Sequence, residues 1–179
     1  MATPPVFSAG AVLTASQMNA VGLWLITSQA VGTGVSSVTV NSVFSSDFDN
    51  YFIAWSINDA SNSVGALLQL GSATSNYKRA TWAFRWDGNT FNEYSAGAAA
   101  FYVGACTTGG GFGTITLMNP YLSQQTRLLA QHCYPSSSDG WSGHSSGIQT
   151  DSTSFTAFTL KPASGTYTGG YINVYGYRD

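Results

Sequence analysis

Short apolar–polar alternation, interrupted by turns rich in glycine and serine, runs through the chain from about residue 23 onward. In the stretch SSVTVNS, Val38 and Val40 point one way while Thr39 and Asn41 point the other, as in a strand with one buried face. The turn clusters recur about every 8–12 residues and include DASNSVG, WDGN, TTGGGFG, PSSSDG and ASGTYTGG. This spacing predicts an antiparallel β-sandwich, with a jelly roll as the leading topology.

The same pattern places the individual strands. Asp87-Gly88 is a strong signal for a tight hairpin turn between two of them. Residues 23–179 are therefore predicted to form one β-sandwich domain. Its strands are expected at residues 23–30, 36–41, 50–57, 65–71, 80–86, 98–104, 113–119, 126–134, 141–149, 154–161 and 170–177.

Several predicted strands are apolar on both faces. In YINVYGYR, Tyr171 and Tyr175 lie on one face, and Ile172 and Val174 lie on the other. Charged residues make up only 8% of the chain, against about 25% in an average soluble protein, so little charge repulsion opposes association. We expect one face of these strands to pack on an opposing sheet and the other on a neighbouring subunit.

Residues 1–22 read as an N-terminal anchoring arm that ends in a short helix. Thr14 and Gln17 have the spacing of a capping box, and Leu13 and Met18 have the spacing of a hydrophobic staple. Gly22 limits the predicted helix to about two turns, and a helix that short rarely persists alone in water. We therefore expect it to dock on another surface.

Charge and hydropathy exclude two classes of partner. The net charge is −2 and the six basic residues are scattered, whereas a nucleic-acid-binding protein carries a basic stripe that neutralises phosphates. The N-terminal region lacks the pattern of a secretory signal and has no apolar run of the roughly 20 residues that a membrane helix needs. We expect no nucleic-acid partner and no membrane insertion.

The stretch Gly143-His144-Ser145-Ser146-Gly147 matches the G-x-S-x-G motif of serine hydrolases. In that motif the serine lies in a sharp turn between a strand and a helix, and a histidine follows later in the chain. Here the residues that follow alternate like a strand, and no histidine follows Ser145. We interpret the stretch as a polar strand; a triad of His132, Asp139 and Ser145 has no support from spacing.

Two acidic pairs have alternative interpretations. Asp47 and Asp49 could hold a divalent cation together with Asn50, but a solvated turn before the next strand is favoured. Asp87 and Glu93 flank a hairpin and could mimic the carboxylates of a glycosidase, but nothing else in the sequence marks a sugar cleft. The sequence predicts a protein that is not an enzyme.

The cysteines and histidines show no metal-site or redox spacing. Cys106 and Cys133 are 27 positions apart; a disulfide is an alternative, but two buried thiols are favoured. His132, Cys133 and His144 are better explained as a buried cysteine beside a core histidine than as zinc ligands. We expect no metal and no cofactor.

Aromatic residues are the most suggestive candidates for a binding surface. Trp82, Phe84 and Trp86 alternate along one strand, and Tyr77 and Trp141 lie beside polar turns. Aromatic faces bind sugar rings and also anchor protein interfaces. Tyr77 and Trp141 are therefore the candidate residues for contact with a receptor or another surface.

Three stretches resemble small structural proteins of tailed bacteriophage virions. PPVFSAGAVLTASQMNAV is similar to an N-terminal F-x-A-G-x-x-L-T-A-x-x-M-N pattern in that group, and SSDFDNYFIAW is similar to its F-D-N-Y strand entry. GTYTGGYINVYGYRD resembles the C-terminal strand of the same proteins. Together the three stretches cover less than a third of the chain.

This resemblance implies a homotrimeric, mainly β virion protein that is assembled in the host cytoplasm. It implies a non-enzymatic tail fibre or tail-tip protein that contacts a glycan or protein on the host surface; the alternative is a decoration or head-fibre protein on the capsid. The N-terminal segment would bind other virion proteins. Its anchoring residues would be Phe7, Leu13, Met18 and Asn19.

Overall fold

The computed structural model describes Gly10, Val12 and residues 22–136 and 139–177. Strands account for 63% of the structure and no helix occurs in the described residues, which confirms a mainly β fold. The same part of the chain contains no helix that is long and apolar enough to cross a membrane. The predicted arm and its helix, with Phe7, Leu13, Met18 and Asn19, lie outside the described residues.

Twelve strands follow one another along the chain. All but one lie close to a predicted strand. The exception is β6, which pairs with β5 in a hairpin; the sequence analysis missed it because TFNEYSAGA has no clear apolar face. The bounds are β1 Trp24–Ala30, β2 Val38–Val40, β3 Asn50–Ala60, β4 Val64–Leu70, β5 Tyr77–Arg85, β6 Thr90–Ala98, β7 Phe101–Cys106, β8 Gly111–Met118, β9 Thr126–Pro135, β10 Gly140–Gln149, β11 Phe158–Pro162 and β12 Tyr167–Tyr177.

The strands form two antiparallel sheets of unequal width. The large sheet has eight strands in the order β1-β12-β3-β8-β9-β10-β5-β6, and the small sheet has four in the order β2-β11-β4-β7. One face of the large sheet packs against the small sheet, and we call the opposite face of the large sheet the outer face. The arrangement is consistent with a β-sandwich.

One hydrophobic core fills the space between the two sheets. The apolar side chains of this core come from alternate positions along each strand, because every second side chain of the large sheet points toward the small sheet. On β9, for example, Leu128 and Ala130 are buried while Leu129 between them is exposed. The core includes Ile53, Trp55, Ile115, Leu128, Ile172 and Val174 from the large sheet and Leu68, Leu70, Phe101, Phe158 and Leu160 from the small sheet.

Glycines allow large side chains of one sheet to lie directly on the backbone of the other. A Cβ added at Gly147, in the middle of β10, would lie 2.7 Å from Cδ1 of Phe101 on β7. A Cβ added at Gly104 would lie 2.7 Å from Cβ of His132 and 3.1 Å from the ring of Trp55. Gly104 also has a φ of +140°, a backbone conformation that other residues rarely adopt. The spacing between the layers therefore depends on these two positions.

We expect Gly147→Ala to destabilise the fold by about 1–3 kcal/mol, because the new methyl group overpacks a core that is already filled. Gly97→Ala on β6 is the matched control, since a Cβ there meets nothing within 4 Å. Urea denaturation measures both effects as shifts of the unfolding midpoint. Equal midpoints for the two variants would contradict the proposed contact between Gly147 and Phe101.

Candidate functional site

Ser145 lies in the middle of strand β10, which confirms the prediction of a strand at residues 141–149. Its side chain is only 3% exposed, and its Oγ lies 2.9 Å from Oγ1 of Thr81 on the neighbouring strand β5. After β10 the chain continues through a loop into β11, so no helix follows the serine. The residue therefore lacks the strand–turn–helix geometry of a nucleophile elbow.

His132 and Asp139 are not joined to Ser145 by hydrogen bonds. His132 is packed between aromatic rings, with its centroid 6.0 Å from that of Tyr102 and 6.1 Å from that of Tyr134. Neither of its ring nitrogens has a hydrogen-bond partner in the described structure. Asp139 instead accepts a hydrogen bond of 3.4 Å from Nη2 of Arg85.

The acidic residues of the hairpin β5–β6 face separate basic partners. Glu93 forms an ion pair with Arg79. Asp87 accepts hydrogen bonds from the backbone N–H and the side-chain amide of Asn89 and lies 3.4 Å from Nη1 of Arg85. Each of the two carboxylates is therefore paired with an arginine of its own hairpin.

The described residues contain no group of three or more His, Cys, Asp or Glu side chains that could hold a metal ion. Asp47 is engaged in a local turn with Ser45, whose Oγ donates to the carboxylate at 3.1 Å and accepts from the Asp47 N–H at 3.2 Å. Cys106 and Cys133 are both free thiols. Burial raises the pKa of Cys106 to about 12, which keeps that thiol protonated and unreactive.

The outer face of the large sheet carries large apolar side chains that nothing in the described chain covers. Trp82 and Phe84 on β5 stack with ring centroids 5.8 Å apart. Leu129 is 54% exposed at the centre of the sheet, on β9. The exposed large apolar residues of this face are Leu25, Trp82, Phe84, Tyr94, Phe112, Leu129 and Tyr171.

Two adjoining depressions lie on this outer face around Leu129. One has a volume of about 550 Å³ and includes Met118 and Ile148 in its lining. The other has a volume of about 500 Å³ and includes Trp82 and His144. Tyr94 and Leu129 line both, so the two depressions form one apolar trough across β8, β9, β10, β5 and β6.

A second concave site lies at the edge of the small sheet formed by β7. We call it the aromatic cleft. Its volume is about 270 Å³. Trp141 and Tyr134 lie opposite each other on β10 and β9, with their rings 13° from parallel and their centroids 6.4 Å apart. The full lining is Ser63, Val64, Gly65, Phe91, Tyr102, Ala105, Tyr134, Ser136 and Trp141.

The polar groups of the aromatic cleft are neutral. Tyr102 and Tyr134 are each only 8% exposed, and neither hydroxyl makes a hydrogen bond to another described residue. Burial raises the pKa of both phenols, so both stay protonated at neutral pH. Arg79 lies over the ring of Tyr102, 5.9 Å from its centroid, but its charge is paired with Glu93.

The structure separates the two candidate contact residues. Trp141 is partly buried and lines the aromatic cleft. Tyr77 is fully buried, and its hydroxyl accepts a hydrogen bond of 2.8 Å from the Leu70 N–H and donates one of 3.2 Å to the Ala73 carbonyl. Tyr77 therefore ties the large sheet to the small one, which corrects the expectation that it contacts a receptor.

Sequence reasoning noted Phe91 among the aromatic residues near loops but missed Tyr102 and Tyr134, the other aromatic residues of the cleft. The alternation of β9 does place His132 and Tyr134 on the same, inner face of the sheet. What the pattern does not reveal is that Tyr134 packs against Tyr102 and Ala105 of β7, at the edge of the small sheet. The position of β7 beside β9 decides this, and it is a contact between strands distant in sequence.

Burial of His132 makes the stability of the fold depend on pH. The pKa of His132 is lowered from its ordinary value of 6.5 to about 4, first by burial and then by the nearby charge of His144. Between these two values the unfolded chain binds a proton that the folded chain excludes. The contribution of His132 to the free energy of unfolding is therefore fully present above about pH 6.5. The free energy of unfolding falls by about 3 kcal/mol as the pH drops to about 4.

We expect His132→Phe to remove this part of the acid sensitivity, measured as the free energy of unfolding between pH 7 and pH 4. His144→Asn is the control, because His144 is exposed on the outer face and most of the pH dependence should persist without it. Identical pH profiles for His132→Phe and the unaltered protein would show that His132 is not buried as described.

No protein-family model and no curated protein matches the chain. The resemblance of its terminal stretches and of SSDFDNYFIAW to phage virion proteins therefore stays a prediction from the sequence.

Proposed function

We propose that the chain is a non-enzymatic structural protein of a tailed-bacteriophage virion, in which the β-domain forms a homotrimer through its outer face. The observation that carries this proposal is the apolar outer face of the large sheet. Large exposed apolar patches on soluble proteins mark interaction sites. Here Trp82, Phe112 and Leu129 are each more than half exposed on one sheet face.

The chemistry of this face favours apolar association. Among the described strand residues that point to it, Lys78 and Arg127 carry the only full charges, and both lie toward one end of the trough. Complete burial of a side chain such as Leu129 stabilises an interface by about 1.5–3 kcal/mol. The scarcity of charge over the whole chain supports a second copy as the partner, because little repulsion opposes it.

We further propose that the sandwich is a jelly-roll variant. The small-sheet order β2-β11-β4-β7 and the large-sheet segment β3-β8-β9-β10-β5-β6 support this. Both strand orders match those of the two sheets of an eight-stranded jelly roll when the three strands β8, β9 and β10 are counted as a single strand. Strands β12 and β1 then extend the large sheet at one edge.

Within the virion, the proposed role is that of a tail fibre or tail-tip protein. Residues 1–22 would attach the protein to the particle, and the β-domain would face outward and contact the host surface. A capsid decoration or head-fibre protein is the second candidate, and it shares the same attachment and the same trimer. The position of the protein on the particle distinguishes the two roles.

We expect Leu129→Lys to weaken self-association at least about tenfold, because it places a charge at the centre of the apolar trough. Leu122→Lys is the matched control, since Leu122 is also exposed but lies in the loop after β8. Light scattering coupled to size-exclusion chromatography measures the mass of each variant. A monomeric unaltered protein at micromolar concentration would overturn the trimer.

Labelled antibody against the protein should bind intact particles of the phage that encodes it. Label at the tail supports the tail-fibre role, and label on the head supports the decoration role instead. Deletion of residues 1–22 should remove the label from particles while the β-domain still folds. Particles that contain no such protein would overturn the proposed function as a whole.

A further inference from the structure

We propose that the aromatic cleft binds a neutral pyranose ring, as one sugar unit of a larger glycan. The inference narrows the proposed host contact to a ligand class and a place in the fold. All residues of the cleft belong to one subunit, so glycan binding does not require the trimer. Loss of glycan binding and loss of virion assembly are therefore distinguishable results.

Aromatic rings line one side of the cleft. Trp141 and Tyr134 lie on neighbouring strands with their rings 13° from parallel, and Trp141 is the more exposed of the two. Aromatic ring faces bind the C–H face of a sugar ring. Phe91 and Tyr102 form the opposite wall, with ring centroids 6.3 Å apart.

The polar groups of the cleft match sugar hydroxyls. Tyr102 and Tyr134 are each more than nine-tenths buried, and no hydrogen bond joins either hydroxyl to another described residue. Neither hydroxyl is among the fully buried polar atoms that lack a partner, so both are accessible from the cleft. A phenol can both donate and accept a hydrogen bond, as can each hydroxyl of a sugar. An apolar side chain of a partner protein would leave both phenols unpaired, which is unfavourable in a buried site.

The electrostatics favour a neutral sugar over an acidic one. No side chain in the lining of the cleft carries a full charge. The nearest cations belong to Arg79 and Arg85, which pair with Glu93 and with Asp87 and Asp139. Among the described residues around the cleft, neither of these two arginines is therefore left to neutralise the carboxylate of an acidic sugar.

The size of the cleft suits a single ring. Its volume of about 270 Å³ lies just below the range of about 300–1,000 Å³ that is usual for drug-sized ligands. Gly65 keeps one wall in place, because a Cβ there would lie 2.8 Å from Cε2 of Tyr102. A larger residue at this position would push the Tyr102 ring away from its present place.

The test is saturation-transfer NMR on the whole protein, with the methyl glycosides of glucose, galactose, mannose and N-acetylglucosamine as neutral probes and sialyllactose as the acidic probe. We expect transfer from the protein to at least one neutral glycoside and a weaker signal for the sialic acid ring. Trp141→Ala should weaken binding at least about tenfold, and Tyr134→Phe should weaken it severalfold by removing one hydroxyl.

Trp82→Ala is the matched control, because Trp82 lies on the outer face of the same sheet and should leave sugar binding unchanged. Ser63→Trp is a second variant that fills the cleft while it keeps Trp141 and Tyr134 in place, and it serves as the test if Trp141→Ala fails to fold. The proposal is overturned if no neutral glycoside receives transfer, or if binding survives in whichever cleft variant folds. Stronger transfer to sialic acid than to every neutral probe would also overturn it. A monomer that still binds a glycoside would contradict the trimer and support this inference.

Discussion

Close contact between the two sheets, made where large side chains lie on glycine, is the interaction on which the rest of the structure depends. Phe101 of the small sheet rests on Gly147 of the large one, and Gly104 of the small sheet lets Trp55 and His132 approach its backbone. A core of this density leaves no room for an additional methyl group. These contacts hold β7 against the inner face of the large sheet, where the aromatic cleft lies at its edge.

The two-layer arrangement of unequal sheets leaves both surfaces of interest uncovered. Four strands cannot cover eight, so the large sheet extends past β7, the edge strand of the small sheet. At that edge the inward-facing rings of Tyr134 and Trp141 are left beside Tyr102 and form the aromatic cleft. On the opposite side, the outer face has no covering layer in the described chain, and Leu129 remains exposed. The unequal width of the sheets thus accounts for the aromatic cleft, and the absence of a third layer in the described chain accounts for the open apolar face.

Most of the strands were predictable because the alternation of apolar and polar residues depends only on neighbouring positions in the sequence. The assignment of Ser145 to a strand followed from the same property, since the residues after it alternate and offer no helix. The hairpin strand β6 was missed because its side chains are largely exposed on both faces, so no apolar periodicity marks it. The two-sided apolar character of the large sheet was also visible, although which face would remain open was not.

The sequence by itself determined the β class, the approximate strands and the polar, sparsely charged turns, because each of these is set by neighbouring residues along the chain. Only the tertiary structure decided the order of the strands in each sheet and which aromatic side chains are buried or exposed. Tyr77 and Trp141 look alike in sequence, each beside a polar turn. Tyr77 is buried because its hydroxyl meets Leu70 across the layers, whereas Trp141 borders a cleft because the opposing sheet ends before reaching it. Such contacts join residues far apart in sequence, and no local pattern encodes them.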